Sequence, residues 1–377
     1  MQMKTIAHLV LLAGLAGCAS LPTSGPTGKQ IEKSLRVTDG KMPIRIVEVG
    51  SLSEIPSVEN GTPSGSLPSL APPPTDMVGP GDLLDINIYE AGVTLFSSGS
   101  GSVDGAAAGV SPGVQVQKLP PSRVDDNGDI TIPYGGKLRV MGRTLREVES
   151  QIQRSLRGLS QNPKVLVTLI QSITNSLIVS GEVNRPGRLV LQTNHETLSD
   201  VVALAGGYRG NARDLILRVV RQNRTVDIRF NTLIDNPSFD VPAYPGDRFM
   251  LIHAPQSYSV LGAPGKVEQI GFARSSVSLA EAIASAGGVS AGTGDPAAVF
   301  LFRYVKDENG GSAPVVYHVN MMNAGSYLLA QRFAMQDQDV LYIGNASANQ
   351  PGKLLQLVSQ LFTPLVTVTA AVQTLQN

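Results

Sequence analysis

The chain is poor in cysteine, tryptophan and charge. Among its 377 residues there is one Cys, and none is Trp. A single cysteine excludes an intramolecular disulfide framework and any cysteine-rich metal or iron–sulfur site. Only 16% of the residues are charged, against roughly 25% in typical globular proteins. The 30 basic residues are balanced by 30 acidic ones, which argues against a nucleic-acid-binding protein because such proteins carry a basic excess. The surface is therefore small, as in a close-packed oligomer, or partly outside water.

The sequence also lacks the residue patterns of familiar catalytic and metal sites. The histidines beyond residue 17 do not have the close spacing of zinc ligands: His195, His253 and His318. One group of acidic residues could supply the carboxylate pair of a polysaccharide-processing enzyme: Asp125, Asp126 and Asp129. Because these residues surround Asn127-Gly128, a strong hairpin signal, a solvated hairpin turn is the better interpretation. We therefore expect no catalytic residues, no metal and no cofactor.

The first residues have the order of parts of a secretory signal peptide. A lysine, the apolar run 6–12 and a stretch of small residues lead to Cys18, so residues 1–17 are predicted to be removed. The tetrapeptide Leu15-Ala16-Gly17-Cys18 resembles a bacterial lipobox, in which the cysteine is acylated, and two or three acyl chains anchor a protein stably. Ala19 stands where lipoproteins kept at the inner membrane often carry aspartate, which favours the outer membrane. The alternative is an ordinary signal peptide with an incidental cysteine.

The mature chain begins with a proline-rich segment. Residues 18–76 contain nine prolines beyond the cysteine and are predicted to be an extended, semi-rigid tether. Within this segment, residues 44–49 alternate in polarity and could form an added strand.

Residues 77–172 are predicted to form a domain of β-hairpins packed around one helix. Alternating residues at 84–89 and 164–170 indicate half-buried strands. The helix is expected to begin at Thr144, with Glu147 in the capping-box position. A stretch rich in Gly, Ser and Ala, 97–115, is expected to be a mobile loop.

An internal repeat follows, in which matching motifs recur at one constant offset. In each copy a strand leads to a short helix, 198–205 or 279–286, which ends at a glycine pair suited to a left-handed C-cap. A related turn precedes three strands: Pro80-Gly81-Asp82, Pro245-Gly246-Asp247 and Gln338-Asp339. We therefore predict two tandem α+β modules, residues 173–256 and 257–346.

The C-terminal segment 347–377 is predicted to contain an amphipathic helix from the spacing of its apolar residues. Residues 354–377 also have no charged side chain. Apolar residues recur at steps of four and three: Leu354, Val358, Leu361, Leu365, Val368, Val372 and Leu375. Uncharged polar residues share the opposite face: Gln356, Gln360, Thr363, Thr367 and Thr374. A helix over residues 354–377 extends roughly 36 Å, enough to cross the hydrocarbon core of a membrane, which is about 30 Å thick.

Three interpretations of this helix fit the periodicity. It packs on its own domain, or it lies on the membrane surface, although surface helices usually carry basic residues and this one has none. Alternatively, it spans the membrane within a ring of helices, with the apolar face toward lipid and the polar face lining water. A single span with a polar stripe is unfavourable, so the third interpretation requires an oligomer.

Several motifs together resemble the Wza-type outer-membrane polysaccharide export lipoproteins. They stand in the family's order: Gly79-Pro80-Gly81-Asp82, then Gly128-Asp129-Ile130-Thr131-Ile132-Pro133-Tyr134-Gly135-Gly136-Lys137, then Gly181-Glu182-Val183-Asn184-Arg185-Pro186-Gly187, and the two Ala-Gly-Gly sequences at 205–207 and 286–288. The resemblance covers nearly the whole chain. It implies an α+β fold with a polysaccharide export domain at 77–172 and two SLBB (β-grasp) modules.

The resemblance also implies a function. Such proteins form rings, typically octameric, whose C-terminal helices assemble into an α-helical barrel across the Gram-negative outer membrane. Capsular polysaccharide or exopolysaccharide passes through the barrel, and the partner is an inner-membrane polysaccharide co-polymerase with tyrosine autokinase activity. On this interpretation Cys18 carries the lipid, the bulk of the protein lies in the periplasm, and the Gln and Thr face lines the pore. The alternative is a periplasmic carbohydrate-binding or scaffold lipoprotein that forms no pore.

Overall fold

The computed structural model describes residues 25–36, 44–56, 63–68, 71–91, 95, 114–160, 162–306 and 312–347. The chain divides into two compact units. Unit 1 combines residues from 1–60 and 255–377, and unit 2 comprises residues from 61–254.

The secondary structure of the described residues is mixed α and β. The strands are β1 (Arg45–Glu48), β2 (Leu83–Ala91), β3 (Val114–Lys118), β4 (Ser122–Arg123), β5 (Asp129–Ile132), β6 (Gly136–Arg139), β7 (Lys164–Gln171), β8 (Ser176–Gly181), β9 (Gly187–Val190), β10 (Leu215–Arg221), β11 (Arg224–Arg229), β12 (Arg248–His253), β13 (Ser257–Gly262), β14 (Glu268–Gly271), β15 (Gly294–Lys306), β16 (Ser312–Val319) and β17 (Val340–Asn345). The α-helices are α1 (Gly28–Arg36), α2 (Leu145–Ser155), α3 (Leu198–Leu204), α4 (Phe230–Asp235), α5 (Leu279–Ser285) and α6 (Ala324–Arg332).

The first domain of unit 2 is built around strand β2. This strand pairs antiparallel with β7 on one side and with β3 and β4 on the other. Its inward residues Leu84, Ile86 and Ile88 are fully buried, as the alternation predicted, and they form one core with apolar residues of α2. The helix begins at the predicted capping box, in which the Thr144 hydroxyl accepts from the Glu147 amide.

The turn predicted at Asn127-Gly128 is present, closed by donation from the Asp125 N–H to the Asp129 carbonyl at 2.9 Å, but the strands that flank it do not form a ladder with each other. Strand β5 pairs instead with β6 through a second turn at 133–135. Local turn chemistry identifies where the chain reverses, whereas the ladder partner depends on which strand the sheet brings alongside.

The rest of unit 2 is one module with a five-stranded sheet, ordered β11-β10-β12-β8-β9. Two hairpins, β8–β9 and β10–β11, are joined through α3, and the chain returns through α4 to β12, which pairs parallel with β8. Apolar residues of both helices and of alternate strand positions form the core. We call this segment module 1.

Unit 1 repeats the same connectivity in module 2. Here β13–β14 and β15–β16 are the hairpins, α5 and α6 replace α3 and α4, and β17 pairs parallel with β13. The internal repeat predicted from the sequence is therefore confirmed, including helices over most of 198–205 and 279–286.

Part of the proline-rich segment is folded in unit 1, so the prediction of an extended tether is wrong there. Strand β1 pairs parallel with β16, which confirms the strand predicted at 44–49. Helix α1 buries Ile31 against Phe300 and Val316 on the sheet of module 2. Burial of these apolar side chains favours docking over an extended conformation.

Each module contains one buried arginine–aspartate pair at the start of its last strand. In module 1 the Arg221 guanidinium donates to the Asp247 carboxylate at 3.0 Å (Nε) and 2.7 Å (Nη2). In module 2 Arg303 donates to Asp339 at 2.8 Å and 2.6 Å. All four side chains are at most 3% exposed. Each arginine also donates to a backbone carbonyl at 2.9 Å, that of Pro242 or Ala334. The pair therefore ties the central hairpin to the closing strand.

The corresponding aspartate of the first domain uses backbone donors instead. The fully buried Asp82 carboxylate accepts from the amides of Gly79 at 2.8 Å, Ile173 at 2.6 Å and Thr174 at 2.9 Å. It thereby links the first strand of this domain to the beginning of module 1.

Replacing Arg221 with Met is expected to destabilise module 1 by roughly 3–5 kcal/mol, because the Asp247 carboxylate stays buried without its partner. The matched control is Arg218→Met, also in β10, which breaks the partly exposed pair with Asp227 at 2.7 Å and should cost about 0–1 kcal/mol. Urea unfolding, followed by amide exchange in β12, measures both. Equal losses in the two variants would contradict the importance of the buried pair.

Candidate functional site

The residues predicted to attach the protein to the membrane lie outside the described residues. This applies to Cys18, to the lipid-facing residues Leu354, Val358, Leu361, Leu365, Val368, Val372 and Leu375, and to the pore-lining residues Gln356, Gln360, Thr363, Thr367 and Thr374. Among the helices that the structure describes, none combines the length and hydrophobicity needed to cross a membrane.

The two chain segments that lead toward these residues meet in unit 1. The Asn345 side-chain amide donates to the Gly25 carbonyl at 2.8 Å, and the Tyr342 hydroxyl donates to the Pro26 carbonyl at 3.0 Å. Thr27 and Asn345 form a parallel β-bridge. The segment following Cys18 is therefore held against the last strand before the C-terminal segment, and we call this junction the terminal clamp.

Small residues make the terminal clamp possible. A Cβ atom on Gly25 would collide with the Tyr342 hydroxyl, and one on Gly28 would lie 2.7 Å from the Ala298 Cβ. This junction is not evident from the sequence, because glycines in a proline-rich segment are typical of turns and linkers. The spacing of Gly25 and Gly28 before an amphipathic stretch is the signal that could have found it.

The acidic group of the first domain forms a structural turn. The Asp125 carboxylate accepts from the amides of Asn127 at 3.0 Å and Asp129 at 2.8 Å. Lys137 lies 3.1 Å from the Asp125 carboxylate and 3.2 Å from that of Asp129. Hydrogen bonding by the Asp129 backbone, together with Lys137, holds the pKa of Asp125 below its ordinary value. A glycosidase needs one carboxyl that keeps its proton, and the lowered pKa of Asp125 does not suit it to that role.

The three histidines are dispersed as the sequence predicted. His195 and His253 are exposed, in different parts of module 1. His318 places its two ring nitrogens 2.7 Å from the Glu48 carboxylate and 2.8 Å from the Ala297 carbonyl. Its ring stacks on Phe300 at 4.5 Å. Within the described ranges no three metal-ligating side chains are grouped, and His318 instead links strand β1 to the sheet of module 2.

Three stretches of the chain match family models. Residues 70–170 match the polysaccharide biosynthesis/export protein family, and residues 178–227 and 256–343 each match an SLBB domain. The two SLBB matches fall on modules 1 and 2.

Similarity to known proteins extends along almost the entire chain. The capsule polysaccharide export protein BexD of Haemophilus influenzae is 30% identical over 387 residues, covering 97% of each chain. The capsule polysaccharide export outer membrane protein CtrA of Neisseria meningitidis serogroup A is 29% identical over 390 residues, also covering 97% of each. The Vi polysaccharide export protein of Salmonella typhi is 28% identical over 278 residues, or 73% of this chain and 75% of its own. The relatives are thus export proteins of capsule or extracellular polysaccharide.

Replacing Asn345 with Ala is expected to loosen the terminal clamp, because the Gly25 carbonyl loses its donor. One net hydrogen bond contributes about 1 kcal/mol, so amides of α1 should exchange roughly fivefold faster. Asn323→Ala is the control, since this N-cap residue of α6 makes no side-chain capping bond. Hydrogen exchange with mass spectrometry measures both variants. Unchanged protection of α1 in Asn345→Ala would show that the clamp does not hold the N-terminal segment.

Proposed function

The chain belongs to the polysaccharide biosynthesis/export family, and from this premise we propose that it is a subunit of an outer-membrane pore that exports capsular polysaccharide or exopolysaccharide. The observation that carries the proposal is the extent of the similarity, which spans 97% of this chain and of a capsule export protein. The match includes the export domain and both SLBB domains in the family's order.

The subunit is attached to the membrane at two points. Residues 1–17 are the signal peptide, the acylated Cys18 is the lipid anchor, and the helix in 347–377 is the membrane span. Cys18 precedes the terminal clamp at Gly25 by a stretch of chain that extends at most about 25 Å. The clamp supports a geometry in which unit 1 is held close to the outer-membrane surface, on its periplasmic side.

The span is stable only in an oligomer, and the family resemblance implies a ring of eight subunits. The lipid-facing side of each helix is apolar, and the Gln and Thr face lines a common lumen. Uncharged amides and hydroxyls can exchange hydrogen bonds with a hydrated polymer without holding it through fixed charge. In the described sheets, β9 and β14 pair on one side only, so a neighbouring subunit can cover these open edges.

The conduit is passive. Lys137 pairs with the carboxylates of both Asp125 and Asp129 in the acidic turn, which supports a structural role for these carboxylates. Movement of the polymer must then be driven from elsewhere, and the resemblance implies an inner-membrane polysaccharide co-polymerase with tyrosine autokinase activity as the partner.

Deleting residues 351–377 is expected to abolish ion conductance in liposomes, because the subunits lose their membrane span and keep only the lipid anchor. Amide exchange of modules 1 and 2 should stay unchanged, which controls for folding. Cys18→Ala is the complementary variant: it loses acylation but retains the pore helix. Full conductance from the truncated protein would overturn the pore-helix proposal and favour a periplasmic carbohydrate-binding or scaffold lipoprotein.

A further inference from the structure

A cavity of about 410 Å³ opens on module 2, beside the end of the β15–β16 hairpin. Such a volume is typical of small-ligand sites, which occupy roughly 300–1,000 Å³. Two aromatic residues of β15, Phe302 and Tyr304, line one side, and the turn Gln336, Asp337 and Gln338 lines another. The Tyr304 side chain is 65% exposed. The cavity therefore combines an accessible aromatic ring with amide groups.

The aromatic wall is a feature of module 2 only. In module 1, β10 ends at the buried Arg221 and the chain turns at once. In module 2, β15 continues beyond the equivalent Arg303 as far as Lys306. Tyr304 lies in this extension, while helix α1 covers Phe300 earlier on the same strand. The longer hairpin of module 2 thus carries an exposed aromatic ring, and module 1 adopts the same connectivity without this extension.

The turn on the other side of the cavity carries a conformational cost. The residue before the buried aspartate is Gly81 in the first domain, with φ of 89°, and Gly246 in module 1, with φ of 85°. Module 2 has Gln338 there, with φ of 65°. Glycine adopts this region freely, whereas a side chain makes it unfavourable. Module 2 thus has glutamine at a position where the first domain and module 1 have glycine. This difference indicates that the Gln338 side chain has a role.

The side chains of this turn are available to a ligand. In the part of the chain described by the structure, the side-chain carboxamides of Gln336 and Gln338 have no hydrogen-bond partner. Their backbones are fixed, since the Gln336 N–H donates to the Asp339 carboxylate at 2.7 Å and the Gln338 N–H donates to the Ser257 carbonyl at 2.8 Å. Asp337 uses one carboxylate oxygen to accept from the Ser257 amide at 2.9 Å. Unpaired amides on a fixed backbone can donate to and accept from hydroxyl groups.

We propose that this cavity is a saccharide-contact site, which takes a short segment of the exported polysaccharide and so rests on the proposed function. A sugar ring has a face of C–H groups and a rim of hydroxyls. The Tyr304 ring offers a face of negative potential to the C–H groups, and Gln336 and Gln338 bond the hydroxyls. The Tyr304 ring and the two glutamine side chains carry no charge, so the site binds weakly and releases a polymer that must keep moving.

The absence of tryptophan gives a direct test on the full-length, detergent-purified protein. Tyr304→Trp keeps an aromatic ring and introduces the chain's single tryptophan at the cavity, which can be excited selectively over the tyrosines. The probe is a set of short oligosaccharides made by partial hydrolysis of the polysaccharide from the producing strain. Saturable quenching or a blue shift of the emission is expected. Tyr327→Trp, at a 55% exposed position on α6, is the control and should show neither. No saturable change at position 304, or an equal change at position 327, overturns the proposal.

Gln338→Gly, made in the Tyr304→Trp background, separates binding from folding. Glycine fits the left-handed turn, so the thermal midpoint should not fall. Oligosaccharide binding should weaken roughly fivefold, the effect of about one lost hydrogen bond. Gln222→Gly is the matched control, because Gln222 also has positive φ, 54°, in the module 1 hairpin, and it should leave binding unchanged. Undiminished binding in Gln338→Gly contradicts the role given to this side chain.

Complementation distinguishes failure of this site from failure of the proposed function. In cells lacking the gene, the wild-type protein should restore surface polysaccharide, and Tyr304→Ala should restore less at equal protein level. If wild type restores nothing, the export function itself is wrong. If wild type and Tyr304→Ala restore equally and the fluorescence titration is flat, export stands and the saccharide-contact site is wrong.

Discussion

The buried pair of arginine and aspartate is the interaction on which each module depends. Arg221 with Asp247, and Arg303 with Asp339, join the central hairpin to the strand that closes the sheet. A charge at such a position is costly to bury unless its partner is in place, so the pair favours one register of the closing strand. In the first domain Asp82 instead accepts from three backbone donors and links the first strand of that domain to the beginning of module 1. A buried aspartate therefore ends each of the three repeated turns. Its partner is an arginine in modules 1 and 2 and a set of backbone amides in the first domain.

The closing strand of module 2 also holds the N-terminal segment at Gly25 and Pro26. Asp339 fixes the beginning of β17, and Tyr342 and Asn345 further along the same strand hold Gly25 and Pro26. The N-terminal segment then adds α1 and β1 to the sheet of this module. Module 2 is thus the part of the protein that contacts the N-terminal segment at Gly25 and Pro26 and contains the strand preceding the C-terminal segment.

Features with a local period were predictable from the sequence, and features that depend on distant partners were not. The strand at 84–89 follows from alternation, and helix α2 follows from its capping box and apolar spacing. The pairing of Arg221 with Asp247 joins residues 26 positions apart, and that of Arg303 with Asp339 joins residues 36 apart. An arginine in a strand gives no local sign that it is buried. Gly25 and Gly28 were missed for the same reason, because their role depends on Tyr342 and Ala298.

The central claim is that the chain acts as one subunit of a membrane-spanning ring. If the charge-free segment 354–377 spans the membrane as we propose, its polar stripe requires neighbouring subunits, so pore formation depends on assembly. Negative-stain electron microscopy of the full-length protein, extracted from outer membranes in mild detergent, tests this most directly. Closed rings with a central channel are the predicted result, and uniformly monomeric particles would contradict it.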